Sequence, residues 1–131
     1  MTNIPSDRRY SKDHEWVLSL GRNEARIGIT DHAQRQLGDI VFVEQPRVGD
    51  RFDAAEPFGS VESVKAVSEI FMPVGGTVST INDTLGDDPE TLNTDPYGDG
   101  WIVQVGLTDS KELDELLSAE QYEDYIGEKA R

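Results

Sequence analysis

The chain has 131 residues, with 12 Lys plus Arg against 26 Asp plus Glu and a formal net charge of −14. That length suits one domain, residues 1–131, with a core of modest size. The acid excess leaves nowhere to build a large basic patch, which speaks against nucleic acid as a partner. An anionic membrane surface would repel the chain for the same reason.

There is no Cys. Disulfides, thiolate metal sites and a nucleophilic Cys are therefore excluded, and the composition fits a reducing compartment. Met1 to Tyr10 has no apolar stretch of the secretory kind. No apolar run approaches the roughly 20 residues that span a bilayer. The expectation is a soluble, cytoplasmic protein.

Short strands dominate the pattern. Trp16–Leu20 and Glu24–Ile29 flank Gly21-Arg22-Asn23, which predicts a β-hairpin. Thr30 is placed to cap a short helix over Asp31–Leu37, with Gly38 as its left-handed exit. Ile40–Val43 is a short apolar run ended by Pro46 and Gly49, and predicts a buried strand. A short edge strand is expected over Arg51–Ala54. Phe58–Val61, Ala66–Met72 and Gly76–Ile81 follow as strands. Asn82 to Gly100 is polar, rich in turn formers and without a basic residue, and predicts loop. Trp101–Val105 is the last expected strand. The period then becomes helical over Asp109–Leu117 and Ser118–Ile126. Asp109 with Glu112, and Ser118 with Gln121, have capping-box spacing. Leu113, Leu116 and Leu117 form one apolar face and Tyr122, Tyr125 and Ile126 another, both suited to docking on a β core. The fold class is mainly β, with a short internal helix and C-terminal helices.

Catalytic constellations are missing. There is no G-x-S-x-G elbow and no phosphate loop of the G-x-x-x-x-G-K type. Asp13-His14-Glu15 offers a His between acids, a pattern more often found on a solvated surface than in a metal or base site. Asp83, Asp87 and Asp88 lack the ordered ligand spacing of a calcium loop. The residue reading assigns no catalytic residue and no metal ligand. Lysine is more informative. It occurs at 12, 65, 111 and 129, so Lys65 is alone in the middle of the chain. Two alternating strands meet near Val64-Lys65, which presents that ammonium at a turn. An accessible, flexible lysine is a nucleophile once deprotonated, and so a candidate for enzymatic acylation. Glu62 and Glu69 flank it as charges that a modifying enzyme can read.

Several segments in order resemble the H-protein family of the glycine cleavage system. They are Tyr10-Ser11-Lys12-Asp13-His14-Glu15-Trp16-Val17, Gly28 to Gln34, Leu37 to Glu44, Gly59-Ser60-Val61-Glu62-Ser63-Val64-Lys65-Ala66, Asn93, Asp95 to Gly98, Gly100-Trp101 and Leu116 to Tyr122. Gln45, Met72 and Thr91 depart from the family's usual residues, and none touches the Lys65 segment. The resemblance implies a barrel-sandwich hybrid of the lipoyl and biotinyl carrier type, with residues 24–106 as the lipoyl-binding core and 107–131 as a helical extension. It implies lipoic acid covalently attached to Lys65. Val64 and Ala66 stand where a biotin carrier has Met on both sides of its lysine.

The implied role is a non-catalytic carrier. It would take the aminomethyl group of glycine from the pyridoxal-phosphate glycine decarboxylase (P protein) to the aminomethyltransferase (T protein). Dihydrolipoamide dehydrogenase (L protein) would reoxidise it, and lipoate-attaching enzymes would load it. Glu15, Gln36 and Glu69 are the expected polar lining of a cleft that shelters the arm. Two other readings carry the same residues: a lipoyl donor in a lipoate relay, and an unmodified acidic interaction module.

Overall fold

The computed structural model describes residues 3–130, with side chains through residue 127. The side chain of Lys129 and all of Arg131 lie outside the described residues. Two antiparallel sheets face each other across one core. The larger has six strands in the order β1-β2-β3-β9-β8-β5, and the smaller has three, β4-β6-β7. Their ranges are β1 Arg9–Tyr10, β2 Glu15–Gly21, β3 Glu24–Ile29, β4 Ile40–Glu44, β5 Arg51–Phe52, β6 Pro57–Ser63, β7 Val67–Phe71, β8 Gly76–Ile81 and β9 Val103–Leu107. This is the expected mainly β, barrel-sandwich arrangement.

The local chemistry explains most boundaries. Between β2 and β3, Arg22 (φ 55°) and Asn23 (φ 61°) both take positive φ. Two such residues in a two-residue loop make the turn whose twist matches paired strands. Helix α1, Asp31–Leu37, starts where the Thr30 hydroxyl accepts from the Ala33 N–H at 3.1 Å. It stops at Gly38, whose φ of 82° suits a residue without Cβ. Its ψ of −159° lies outside the compact left-handed helical region, so Gly38 turns the chain sharply rather than closing the expected left-handed cap.

Three expectations change. The polar stretch 82–100 contains two single helical turns, α2 (Thr84–Asp87) and α3 (Thr91–Thr94), which bury Leu85 and Leu92 in the core. The last strand begins two residues later than its apolar pattern implied, at Val103. Residues 109–117 form a 3-10 helix over Ser110–Glu115 rather than an α-helix. The reason is visible at its start. Asp109 accepts from the Lys111 N–H, while Glu112 turns away and accepts from the Gly75 N–H at 2.9 Å, so the reciprocal box is never closed. The second box does close: Ser118 and Gln121 exchange backbone-to-side-chain bonds of 2.9 and 3.2 Å ahead of α4, Ala119–Ala130. The two-residue strand β1 was not legible in the pattern.

Tyr122, Tyr125 and Ile126 stay together as one apolar face, whereas the expected face of Leu113, Leu116 and Leu117 divides between two clusters. Leu113 and Leu116 pack on the main core, and Leu117 and Tyr125 pack on a second cluster of Tyr10, Trp16, Tyr122 and Ile126. Gln45 has a structural role. Its amide donates to the carbonyls of Asn82 and Ile102, both at 3.0 Å, and so satisfies two acceptors where strands end. Trp16 is fixed by an indole N–H bond to the Pro96 carbonyl at 3.0 Å and by the Arg8 guanidinium 4.7 Å from its ring centre. Its ring fills the space above Gly28, where a Cβ would sit 2.7 Å from the indole. Gly28→Ala therefore forces Trp16 or the strand to shift. It is expected to lower stability by about 1–3 kcal/mol in urea unfolding, and an unchanged midpoint would contradict the packing described.

Candidate functional site

Lys65 sits at the tip of the hairpin made by β6 and β7, where Ser60 pairs with Glu69, Val61 with Ser68 and Glu62 with Val67. One side chain organises the turn. The Ser63 hydroxyl oxygen accepts from the Lys65 N–H (3.2 Å) and the Ala66 N–H (3.1 Å), and the Ser63 N–H donates to the Ala66 carbonyl (2.8 Å). A side-chain oxygen thus stands in for backbone acceptors in a tight loop. The Val64 N–H donates to the Asp39 carbonyl at 3.0 Å, which anchors the tip to the start of β4. Val64, Lys65 and Ala66 are all exposed. The expected presentation of Lys65 at a turn is what the structure shows.

The lysine stem does not stand free. A Cβ built on Gly38 would lie 3.2 Å from Lys65 Cε, so the stem rests against the C-terminal end of α1. Asn93 of α3 fixes that end. Its amide donates to Gln34 Oε1 and the Gly38 carbonyl, both at 2.9 Å, and its oxygen accepts from the Ile40 N–H at 2.9 Å. This clamp was legible only as one residue of the family resemblance. Its partners lie more than 50 residues away in sequence, beyond the reach of a local pattern.

Beside the hairpin is a small cleft of about 40 Å³. Its apolar floor comes from Ile29, Ala33, Leu37, Val61 and Ile70, and its polar rim from Asp13, Glu15, Ser68 and Glu69. Glu15 and Glu69, expected together, do meet here. Gln36 is exposed on α1, next to Leu37, and does not line the cleft. Glu62 is exposed on the outer face of β6.

The two cleft carboxylates differ in environment. Glu69 is exposed, whereas Glu15 is buried. Glu15 accepts from the Ser11 hydroxyl at 2.6 Å and from the Phe71 N–H at 3.2 Å, which ties β2 to the edge of β7. Burial pushes its carboxyl up to about 7, aided by the nearby Asp13 charge and opposed by those two hydrogen bonds. The corner that carries Asp13 and Glu15 is itself pinned. His14, at φ 70°, places Nδ1 2.8 Å from the Tyr122 hydroxyl, which lies 2.7 Å from the Thr30 hydroxyl. His14 is half-buried against α4 rather than solvated. Among the described residues, no three His, Asp or Glu side chains converge to hold a metal ion.

Glu15 gives a pH signature with a definite sign. Its native carboxyl holds a proton up to about 7, whereas an unfolded glutamate loses it near 4.5. The native state therefore binds more protons between these values, and stability from this group falls as pH rises from about 4.5 through 7. The full loss is on the order of 3 kcal/mol. Glu15→Gln is expected to flatten that part of the stability–pH curve and to be the more stable protein at pH 8. An identical slope in both proteins would contradict the burial argument.

The comparisons with known proteins agree with this geometry. The family model described as Glycine cleavage H-protein matches residues 8–129. The Glycine cleavage system H protein of Geobacillus kaustophilus is 56% identical over 126 residues, covering 96% of this chain and 98% of that protein. The one from Halalkalibacterium halodurans is 51% identical over 129 residues, covering 98% of this chain and 100% of that protein. The crystal structure of a glycine cleavage system H protein from Mycobacterium marinum superposes with a TM-score of 0.84 at 41% identity, over 98% of this chain and 100% of that one. A tight hairpin tipped by one lysine, a carboxylate-rimmed cleft beside it and full-length similarity lead to one conclusion: the chain belongs to the glycine cleavage H-protein family.

Proposed function

We propose that Lys65 is the residue to which this lipoyl carrier of the glycine cleavage system attaches its lipoyl group, by an amide bond. The single observation that carries the reading is the Ser63-closed turn, which holds an exposed lysine at the tip of a rigid hairpin next to a cleft. The residues present fit the group. The stem of Lys65 already lies along Gly38, and Leu37, the next residue back, is part of the cleft's apolar floor. When bound, the lipoyl group supplies a long tether and a reducible disulfide that takes up the aminomethyl group from glycine.

The chain's own residues do the remaining work. Ser63 and the Val64 anchor fix the direction in which the lysine projects. The aliphatic floor excludes water from whatever rests on it. Glu69 and ionised Glu15 offer negative charge to an ammonium at the cleft mouth. Glu62 and Glu69 are proposed as charges that the lipoate-attaching enzyme reads.

On this reading the protein is a non-catalytic subunit. It works in the cytoplasm with the glycine decarboxylase, the aminomethyltransferase and dihydrolipoamide dehydrogenase. Among the described residues no helix is long and apolar enough to cross a membrane. A tethered arm replaces diffusion of a labile group between enzymes by a local search.

Lys65→Arg keeps the charge and removes the acylable amine. In a reconstituted system with lipoylating enzyme, it is expected to reduce glycine cleavage to background, and retained turnover would refute the attachment site. Glu15→Ala and Glu69→Ala, in protein that still accepts the lipoyl group, are expected to speed hydrolytic loss of the aminomethyl group several-fold. Unchanged hydrolysis in both would remove the cleft from the account.

A further inference from the structure

We propose that the outer face of β4, β6 and β7, centred on Phe42 and Val67, is the docking surface for the enzyme that acylates Lys65, and that this enzyme meets it with an apolar patch edged by basic side chains. The proposal rests on Lys65 being the acylated residue.

Six large apolar side chains are exposed among the described residues: Leu20, Val41, Phe42, Val48, Val64 and Val67. Four of them surround the lysine hairpin, with exposures of 49% for Val41, 54% for Phe42, 70% for Val64 and 67% for Val67. Scattered exposed apolar residues are ordinary, but a cluster around one functional residue is not. The strand register explains the cluster. Phe42 pairs with Glu62, and Glu62 pairs with Val67. Directly opposed residues on neighbouring antiparallel strands share a face. The three therefore form a row across the sheet, apolar at both ends and acidic in the middle.

The next row on that face is Glu44, Ser60 and Glu69. A groove of about 510 Å³ runs over it, walled by Glu44, Pro57, Val67 and Glu69. None of the three strands carries a basic residue. An apolar row next to an acidic groove calls for a partner surface with the opposite arrangement of charge.

Reach selects the acylating enzyme among possible partners. An unmodified lysine extends only by its own four-carbon stem. Its amine must nevertheless meet the carbonyl carbon of an activated acyl donor, such as an acyl–phosphate anhydride. The amide C–N bond forms there, the acyl C–O bond breaks and the leaving phosphate keeps the electron pair. The two protons shed by the ammonium pass to solvent. An enzyme that reaches so short a side chain has to cover the residues around its base. An enzyme that acts at the end of a completed arm has no need to cover them.

The test compares apo wild-type protein with Phe42→Thr/Val67→Thr, which keeps β-branched residues on the strands, and with the distant exposed control Leu20→Thr. The probe is a lipoate–protein ligase with lipoate and ATP. The double variant is expected to lose at least tenfold in kcat/KM for acylation, mainly through KM, with an unchanged melting temperature and the control within twofold of wild type. Glu62→Lys is expected to lower kcat/KM as well, and to weaken its dependence on salt. Once acylated by long incubation and reduced to the dithiol with a chemical reductant that is then removed, the double variant is expected to be reoxidised by dihydrolipoamide dehydrogenase with NAD+ as fast as wild type.

Acylation of wild type and double variant at equal efficiency would overturn this surface and leave the attachment site standing. So would a dimer of the chain that the two substitutions dissolve while acylation stays unaltered. A wild-type protein that accepts no acyl group would overturn both.

Discussion

The loop that joins β6 to β7 is only Val64, Lys65 and Ala66, and the hydroxyl of Ser63 closes it. Two backbone N–H groups of the loop point at that one oxygen. Without it they would depend on water. The closure determines where the lysine goes. It leaves the Val64 N–H free to bond Asp39, so the tip is tied to the end of the α1–β4 connection as well as to its own strands. An exposed side chain carried on such a loop has its Cα fixed, while its end can leave the contact with Gly38. A carrier needs that division: mobile chemistry on an immobile base.

The two sheets meet around that base. Glu15 starts β2 in the larger sheet, yet it accepts a hydrogen bond from Phe71 on the edge of the smaller one. The bond joins the sheets beside the lysine and leaves a carboxyl group in a poorly solvated place. The cost is a carboxyl that holds its proton to about pH 7. A structural salt link would have the opposite signature, a lowered carboxyl, as Asp31 shows where Asn3, Gln34 and Arg35 hydrogen-bond to it. Behind Glu15, the Tyr122 hydroxyl lies within hydrogen-bond distance of both His14 and Thr30. The C-terminal helix thereby braces both the Asp13–Glu15 corner and the start of α1, two sides of one cleft.

Much of this was legible in the residues, for reasons that differ by element. The β2–β3 hairpin and α1 are specified by neighbours: a two-residue loop, a capping Thr30, a Gly at the exit. The lysine turn was legible because alternation stops on both sides of Val64-Lys65. What was missed depends on distant partners. The helical turns α2 and α3 bury one Leu each, too little periodicity to read, and they exist because Leu85 and Leu92 reach the core. The capping box at Asp109 failed because Glu112 found a better donor in Gly75. The placement of Gln36 failed in a similar way. A helix sends adjacent residues to different faces, so Ala33 and Leu37 reach the cleft while Gln36 is exposed outside it. Family resemblance supplied the chemistry of the arm, which no spacing in the chain encodes.

The net charge of −14 takes on a narrower meaning in this setting. Acids are distributed over the loop from 83 to 99, the outer face of the smaller sheet and α4, while a single lysine stands in the mid-chain hairpin. The most direct test is peptide mapping by mass spectrometry of protein made in cells supplied with lipoate. A lipoyl mass carried only by the peptide containing Lys65, with Lys12, Lys111 and Lys129 unmodified, is the result this account predicts. A chain wholly without the group, or with it on another lysine, would contradict it.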